Sequence, residues 1–391
     1  MYFEFCNPGK ILSGPYALEN IASEMKLLSA SRAMILSDKI LLDLGAVRTL
    51  SDALTSGGMK VAATYTDIPA DSDIEVVNRI SSVYRSVNAD CIIALGGGSV
   101  IDTAKGVRML ISQGGNDILS FVGCEVLPKG RAIPFAAIPT TSGTGSEATQ
   151  IAVIKNNERH VKMEFVSQFL LPDLAVIDPR FCTSMPKKVT AMTGLDAMTH
   201  AIESYCCLQK NPVSRCYSLT ALELIRDNLA SALKHGGDKE VRLNMANASL
   251  LAGSAFSNSM VGLVHAIGHS LGGVARVPHG LSMAILLVPC LKFNLEKCGE
   301  DYKGLLVALA GPEKYASVPE GKRAEAFIEY VDAFLKEIST LAGMSLRLSD
   351  YGVGESCFDQ VSELAVNDGA IIVNPRSCSR SEVREILRQC L

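Results

Sequence analysis

The chain has 391 residues, which at roughly 150 per domain suggests two or three domains and leaves ample length for a buried core. Hydrophobic residues are 48% and charged residues 20% of the total, a composition that excludes intrinsic disorder as the main state. With 37 basic against 41 acidic residues, a net charge of −4 and no long run of either sign, neither nucleic acid nor a membrane surface is an expected partner.

The opening Met1-Tyr2-Phe3-Glu4-Phe5-Cys6-Asn7-Pro8 has no basic segment followed by an apolar one, so no secretory signal is read there and a cytoplasmic location is expected. The longest apolar run, residues 284–291 interrupted by Pro289, falls short of the about 18 residues that a membrane span needs. Twelve cysteines lie scattered without a C-x-x-C pair, which argues against a disulfide framework or a cysteine zinc site and for buried thiols in a reducing compartment.

Through about residue 180, β-prone apolar runs alternate with helix-length segments, the pattern of βαβ units on a parallel sheet. Strands are expected at residues 32–37, 60–65, 90–95, 133–138 and 174–177, and crossover helices at 46–56, 74–87 and 100–112. Residues 150–166 break the rule, because two β-prone runs flank Asn156-Asn157 and read as an inserted hairpin. Beyond Pro186 nearly every segment has helical periodicity. The expected organisation is an α/β domain over residues 1–186 and an all-helical domain over 187–391.

Three clusters carry chemistry. In Ala94-Leu95-Gly96-Gly97-Gly98-Ser99-Val100-Ile101-Asp102-Thr103-Ala104-Lys105 a buried-type strand enters three glycines and then a helix, so backbone N–H groups at a helix N-terminus can meet a diphosphate. Neither the G-x-G-x-x-G spacing nor a P-loop lysine is present. Pro139-Thr140-Thr141-Ser142-Gly143-Thr144-Gly145-Ser146-Glu147 follows another strand and offers hydroxyls at the same carboxyl edge, where Asp38, after the first strand, offers a carboxylate that can accept from a ribose hydroxyl. Taken singly, Asp38 reads as a solvated loop residue and each glycine cluster as an ordinary turn.

The third cluster is the most informative, since three of the six histidines, His265, His269 and His279, fall within fifteen residues. His265 and His269 stand one helical turn apart, and Asp196 and His200 repeat that spacing upstream. A lone histidine on an apolar helix is usually a satisfied core residue; two such pairs together point to one ion. The glutamate of H-E-x-x-H is missing from His265-Ala266-Ile267-Gly268-His269, which argues against a zinc protease. His160 and His235 read as surface residues, and Phe256, Met260 and Phe165 as pocket candidates.

Together these residues resemble the iron-containing, or group III metal-dependent, alcohol dehydrogenase family. The likeness runs in order through the glycine cluster, Pro139 to Glu147, Pro172-Asp173-Leu174, Asp178-Pro179, Thr193-Gly194-Leu195-Asp196-Ala197-Met198-Thr199-His200-Ala201-Ile202-Glu203 and the block from Gly262 to Gly280. It implies a dehydroquinate synthase-like architecture with a cleft between two domains that holds a divalent metal, Fe(II) or Zn(II), and a nicotinamide cofactor. It implies metal ligands at Asp196, His200, His265 and His279, and cofactor contacts at Asp38, Gly97, Gly98, Ser99, Asp102, Thr140, Thr141, Thr144 and Lys162.

On the same resemblance, His269 lies near the metal without ligating it and is expected to act catalytically as a proton relay. NAD(H) is expected over NADP(H), because Asp38 would accept from a ribose 2′-hydroxyl and repel a 2′-phosphate. The substrate is an alcohol or aldehyde, and a homodimer or higher homo-oligomer is implied. Where many members have Pro-Asn-Pro near the adenine, this chain has Pro69-Ala70-Asp71. The alternatives are a dehydroquinate synthase-like lyase, which has a Glu-His-His ligand set, and a non-catalytic nucleotide-binding assembly protein.

Overall fold

The computed structural model describes residues 2–124, 127, 130–158 and 161–391. The chain forms two compact units, Cys6–Ser184 and Met185–Leu391, the second joined by the residues up to Phe5. His160, read from sequence as a surface residue, lies outside the described residues.

The α/β unit runs β1 (Lys10–Ser13), α1 (Ile21–Leu27), β2 (Arg32–Leu36), α2 (Lys39–Asp43), α3 (Ala46–Ser56), β3 (Lys60–Tyr65), α4 (Ile74–Ser86), β4 (Cys91–Gly96), α5 (Gly98–Ser112), β5 (Gly123–Cys124), β6 (Phe135–Pro139), β7 (Ile151–Asn156), β8 (Val161–Val166) and β9 (Leu174–Ile177). Six strands form a parallel sheet in the order β1-β9-β6-β4-β2-β3. Side chains alternate across it with period two. Met34, Leu36, Ile92, Ala94, Phe135 and Ala137 pack with residues of α4 and α5, while Ala33, Ile35, Ile93, Leu95, Ala136 and Val176 pack with residues of α1 and α3.

Each expected strand and crossover helix is present. The third helix begins two residues earlier than its apolar periodicity suggested, because Gly97 supplies the N-cap of α5. The expected hairpin is β7 and β8, antiparallel from Ile151↔Val166 to Asn156↔Val161, within a separate three-stranded sheet that includes β5. Strand β1 was not expected. Its four residues are mostly exposed and lack an apolar signature, and its order comes from pairing with β9, more than 160 residues away.

The helical unit contains α6 (Lys187–Cys206), α7 (Pro212–Lys234), α8 (Lys239–Ser257), α9 (Leu263–Ala275), α10 (His279–Ala310), α11 (Pro312–Ser317), α12 (Arg323–Ala342), α13 (Phe358–Ala365) and α14 (Arg380–Gln389). Among its described residues there is no strand, and Pro186 is the N-cap of α6. Helix α6 is buried at every position from Gly194 to Cys206, so its polar residues Asp196, His200 and Glu203 must find partners inside the protein. No helix of the structure is long and apolar enough to cross a membrane.

Candidate metal centre and nucleotide loops

Asp196, His200 and Glu203 stand at i, i+4 and i+7 of α6 and so share one face. Opposite them, α9 contributes His265 and His269 and the first residue of α10 is His279. One oxygen, Asp196 Oδ1, lies 3.8 Å from His200 Nε2, 3.8 Å from His265 Nε2 and 3.3 Å from His279 Nε2. The donor atoms of Asp196, His265 and His279 all lie within 4.8 Å of one another, and His200 approaches this trio at its Asp196 side. The rings form an array: His200 stacks on His265 at 4.5 Å between centroids, and His269 on His279 at 5.5 Å.

These atoms fit a divalent ion. Two donors held about 2.1 Å from one ion lie about 3.0–3.4 Å apart at the angles of octahedral and tetrahedral shells; the Asp196–His279 spacing of 3.3 Å falls in that range and the two spacings of 3.8 Å lie just outside it. Asp196 Oδ1 and His265 Nε2 are buried and have no hydrogen-bond partner among the described residues, an arrangement that is costly without a shared cation. Burial by itself would raise the Asp196 carboxyl, but the facing imidazoles of His200 and His279, with that of His265, hold it well below the usual carboxylate range. Burial would lower His265, yet the two carboxylates that flank its ring, Asp196 and Glu203, carry it up to about 9.

His269, expected to act beside the metal, stands one turn from His265 on α9 and turns Nδ1 to Asp368 Oδ2 at 3.1 Å. Its side chain is 26% exposed, against 3% for His265. Phe256 stacks on His200 at 4.2 Å, and Met260 holds a left-handed φ of 68° just beyond α8. Phe165, a pocket candidate from sequence, is buried in the core of the sheet. His235 is exposed at the end of α7. Sequence reasoning missed Glu203 and Asp368 as neighbours of the histidines; for Glu203 the signal was its i+7 spacing from Asp196, and for Asp368 there was none.

The nucleotide loops sit at the carboxyl ends of β2, β4 and β6, three adjacent parallel strands. The chain leaves β2 for β3 on one side and returns to β4 on the other, so the crevice between β2 and β4 is a topological switch point. Ser37 bridges them by donating to Leu95 O at 2.8 Å, and Asp38 caps α2 through Leu41 N–H at 2.9 Å. The two loops interlock. A Cβ on Gly98 would stand 2.9 Å from Thr144, and one on Gly97 would stand 3.3 Å from Thr141, so glycine is needed at the first of these for the loops to touch.

Thr140 continues the sheet edge, its N–H donating to Gly96 O at 3.1 Å. Both Asp102 oxygens are engaged, with Ser146 Oγ at 2.6 Å and Val153 N–H at 3.0 Å, which ties the second loop to α5. Behind it the fully buried Lys105 donates to Thr149 Oγ1 and Ile151 O, and burial brings its ammonium down to about 8. The departure at Pro69-Ala70-Asp71 meets two expected cofactor residues: Ser99 Oγ donates to Ala70 O, and Lys162 Nζ lies 3.1 Å from Asp71.

The description "Iron-containing alcohol dehydrogenase" matches residues 8–179, and "Fe-containing alcohol dehydrogenase family, C-terminal" matches residues 190–391. The chain belongs to the iron-containing alcohol dehydrogenase family. It is 35% identical to the 1,3-propanediol dehydrogenase of Citrobacter freundii over 99% of this chain and 98% of that protein. To the long-chain-alcohol dehydrogenase 1 of Geobacillus thermodenitrificans it is 32% identical, over 95% and 92%. The crystal structure of a 1,3-propanediol oxidoreductase superimposes with a TM-score of 0.94 at 33% identity, covering 100% of both chains. The chain is thus an oxidoreductase that interconverts an alcohol and its carbonyl compound with a nicotinamide cofactor and a metal site.

Proposed function

We propose that Asp196, His200, His265 and His279 bind one divalent ion, Fe(II) before Zn(II), and that the enzyme prefers NAD(H) to NADP(H). The observation that carries the metal assignment is the meeting of the buried Asp196 Oδ1 with three imidazoles at 3.3–3.8 Å. An ion bound there supplies a Lewis acid that lets a substrate hydroxyl ionise near neutral pH. Four protein donors suit a six-coordinate ion better than a tetrahedral zinc site, which ranks iron first. Relatives named for methanol, 1,3-propanediol and long-chain alcohols support an alcohol as substrate. The test is anaerobic loading with Fe(II), followed by NADH absorbance over a panel of alcohols and aldehydes; a fully loaded protein inert to all of them overturns the reading.

On the cofactor side, Asp38, Gly97, Gly98, Ser99, Thr140, Thr141, Thr144 and Lys162 make the contacts, and Asp102 acts by holding the second loop through Ser146 and Val153. Asp38 at the switch point disfavours a 2′-phosphate. Asp38→Gly removes the carboxylate while costing only a few tenths of a kcal/mol as a cap, so the fold survives. Its expected result is a narrowed preference, seen mainly as a lower KM for NADP(H). Equal kcat/KM for NADH and NADPH in the unaltered enzyme is the opposing outcome.

His269 carries the substrate proton outward. With Nδ1–H donated to Asp368, its basic nitrogen is Nε2, and its partial exposure gives the proton an exit. His269→Gln should keep its metal and lose turnover by about 10²- to 10⁴-fold. Metal loss instead would make His269 a ligand; unchanged turnover would make it a packing residue. In this reading the enzyme works in the cytoplasm as a homo-oligomer. Its buried thiols Cys91, Cys290 and Cys390 suit a reducing compartment, and the exposed Ile40, Leu42 and Leu44 give a partner copy apolar surface to cover.

A further inference from the structure

Helix α9 begins at Gly262, which has no side chain to cap it, so the first N–H groups of the helix must be satisfied from elsewhere. The accounting closes on two residues distant in sequence. Leu263 N–H donates to Asn374 Oδ1 at 3.1 Å, Val264 N–H to Glu203 Oε1 at 2.7 Å and His265 N–H to Glu203 Oε2 at 3.4 Å, while Ala266 N–H makes the first intrahelical bond to Gly262 O. Gly262 N–H also donates to Glu203 Oε2, at 3.0 Å. A Cβ at Gly262 would stand 2.9 Å from Asn374 Oδ1 and 3.1 Å from Glu203 Oε1, so the approach of both side chains depends on glycine there.

The same carboxylate makes one more contact, at 2.6 Å, to His265 Nδ1. An ionised carboxylate only accepts hydrogen bonds. The proton of the neutral ring therefore sits on Nδ1, and Nε2, which faces Asp196 Oδ1, carries the lone pair.

We propose that Glu203 is the positioning residue of this centre: it fixes the His265 tautomer and ring orientation so that Nε2 is presented as a metal donor. The inference rests on His265 being a ligand. Glu203 comes from α6, three residues beyond His200, so one helix supplies two donors and the group that orients a third. A carboxylate behind a ligating imidazole both locks the ring and raises its basicity.

Glu203→Gln is the direct test. If the amide nitrogen replaces Oε2, it donates to Nδ1, the ring proton moves to Nε2 and the donor lone pair is lost. Affinity for Zn(II), measured by competition with a chromophoric chelator, should fall about 10- to 100-fold. Asn374→Ala is the control, since it removes a cap from the same helix end without touching the imidazole. It should lower thermal stability and leave Zn(II) affinity near that of the unaltered protein. ¹⁵N-histidine spectra of the zinc-free proteins, recorded at a pH where the His265 ring is neutral, should show its proton on Nδ1 in the unaltered chain and not in Glu203→Gln.

Equal loss of Zn(II) affinity in Glu203→Gln and Asn374→Ala would reduce Glu203 to a helix cap and overturn the proposal. So would an unchanged affinity in Glu203→Gln while His265→Ala abolishes binding. If His265→Ala itself binds Zn(II) normally, the ligand assignment has failed, and that outcome is distinct from the other two.

Discussion

Replacing His265 by alanine should strip the protein of nearly all its metal and all measurable turnover while leaving the fold intact. The imidazole is 3% exposed, stands between two carboxylates and packs against the rings of His200, His269 and His279. Its loss removes one member of the mutually close trio of donors and leaves Asp196 facing only His200 and His279. It also leaves Glu203 buried with its backbone partners alone, a change that costs about 1–3 kcal/mol. The helical core holds Leu195, Met198, Leu263, Ile267 and Leu281 apart from the histidines, so a cooperative unfolding transition should persist. Elemental analysis after Fe(II) loading decides the matter. A variant that retains a full equivalent of iron would show that the ion sits elsewhere.

The second large effect concerns a residue with no polar chemistry. Gly280 follows His279 at the start of α10, and a Cβ there would stand 2.3 Å from the carbonyl oxygen of Met192 and 2.7 Å from its carbonyl carbon. Met192 lies one turn before Asp196 on α6, and its backbone cannot rotate away as a side chain would. Gly280→Ala must therefore push α10 from α6 by on the order of 1 Å, which separates His279 from Asp196. A loss of about 1–3 kcal/mol in stability is expected, together with weaker binding of Fe(II) or Zn(II). Gly273→Ala, in α9 where a Cβ meets open space, is the matched control and should change neither. Thermal unfolding and metal titration of the two variants check the contrast, and equal behaviour would refute the close-packing argument.

Local periodicity made a large part of this molecule legible. The β strands of the sheet centre read as continuous apolar runs because both faces are covered, and β4 is buried at all six positions. The crossover helices read as amphipathic because each packs one face on that sheet. The Asp196/His200 and His265/His269 pairs read as candidate sites because a helix sets residues four apart on one face, a property that needs no tertiary knowledge. Family likeness then turned those pairs into an ordered motif along nearly the whole chain.

Tertiary packing decided what periodicity leaves open. Spacing puts His265 and His269 on one face of α9, but only the packing of α6 and α10 against that helix brings His265 to Asp196, adds His279 to the same oxygen and turns His269 toward Asp368. Glu203 is an unremarkable helical glutamate in the sequence, and its role comes from an uncapped helix end some sixty residues later. Strand β1 is ordered by β9, and Asp102, adjacent in sequence to the glycine cluster, has its carboxylate bound to Ser146 and Val153. In each case the deciding term is a contact between segments far apart in the chain. Helical and strand periodicities describe which face of one segment is apolar, and they carry no information about which other segment will cover it.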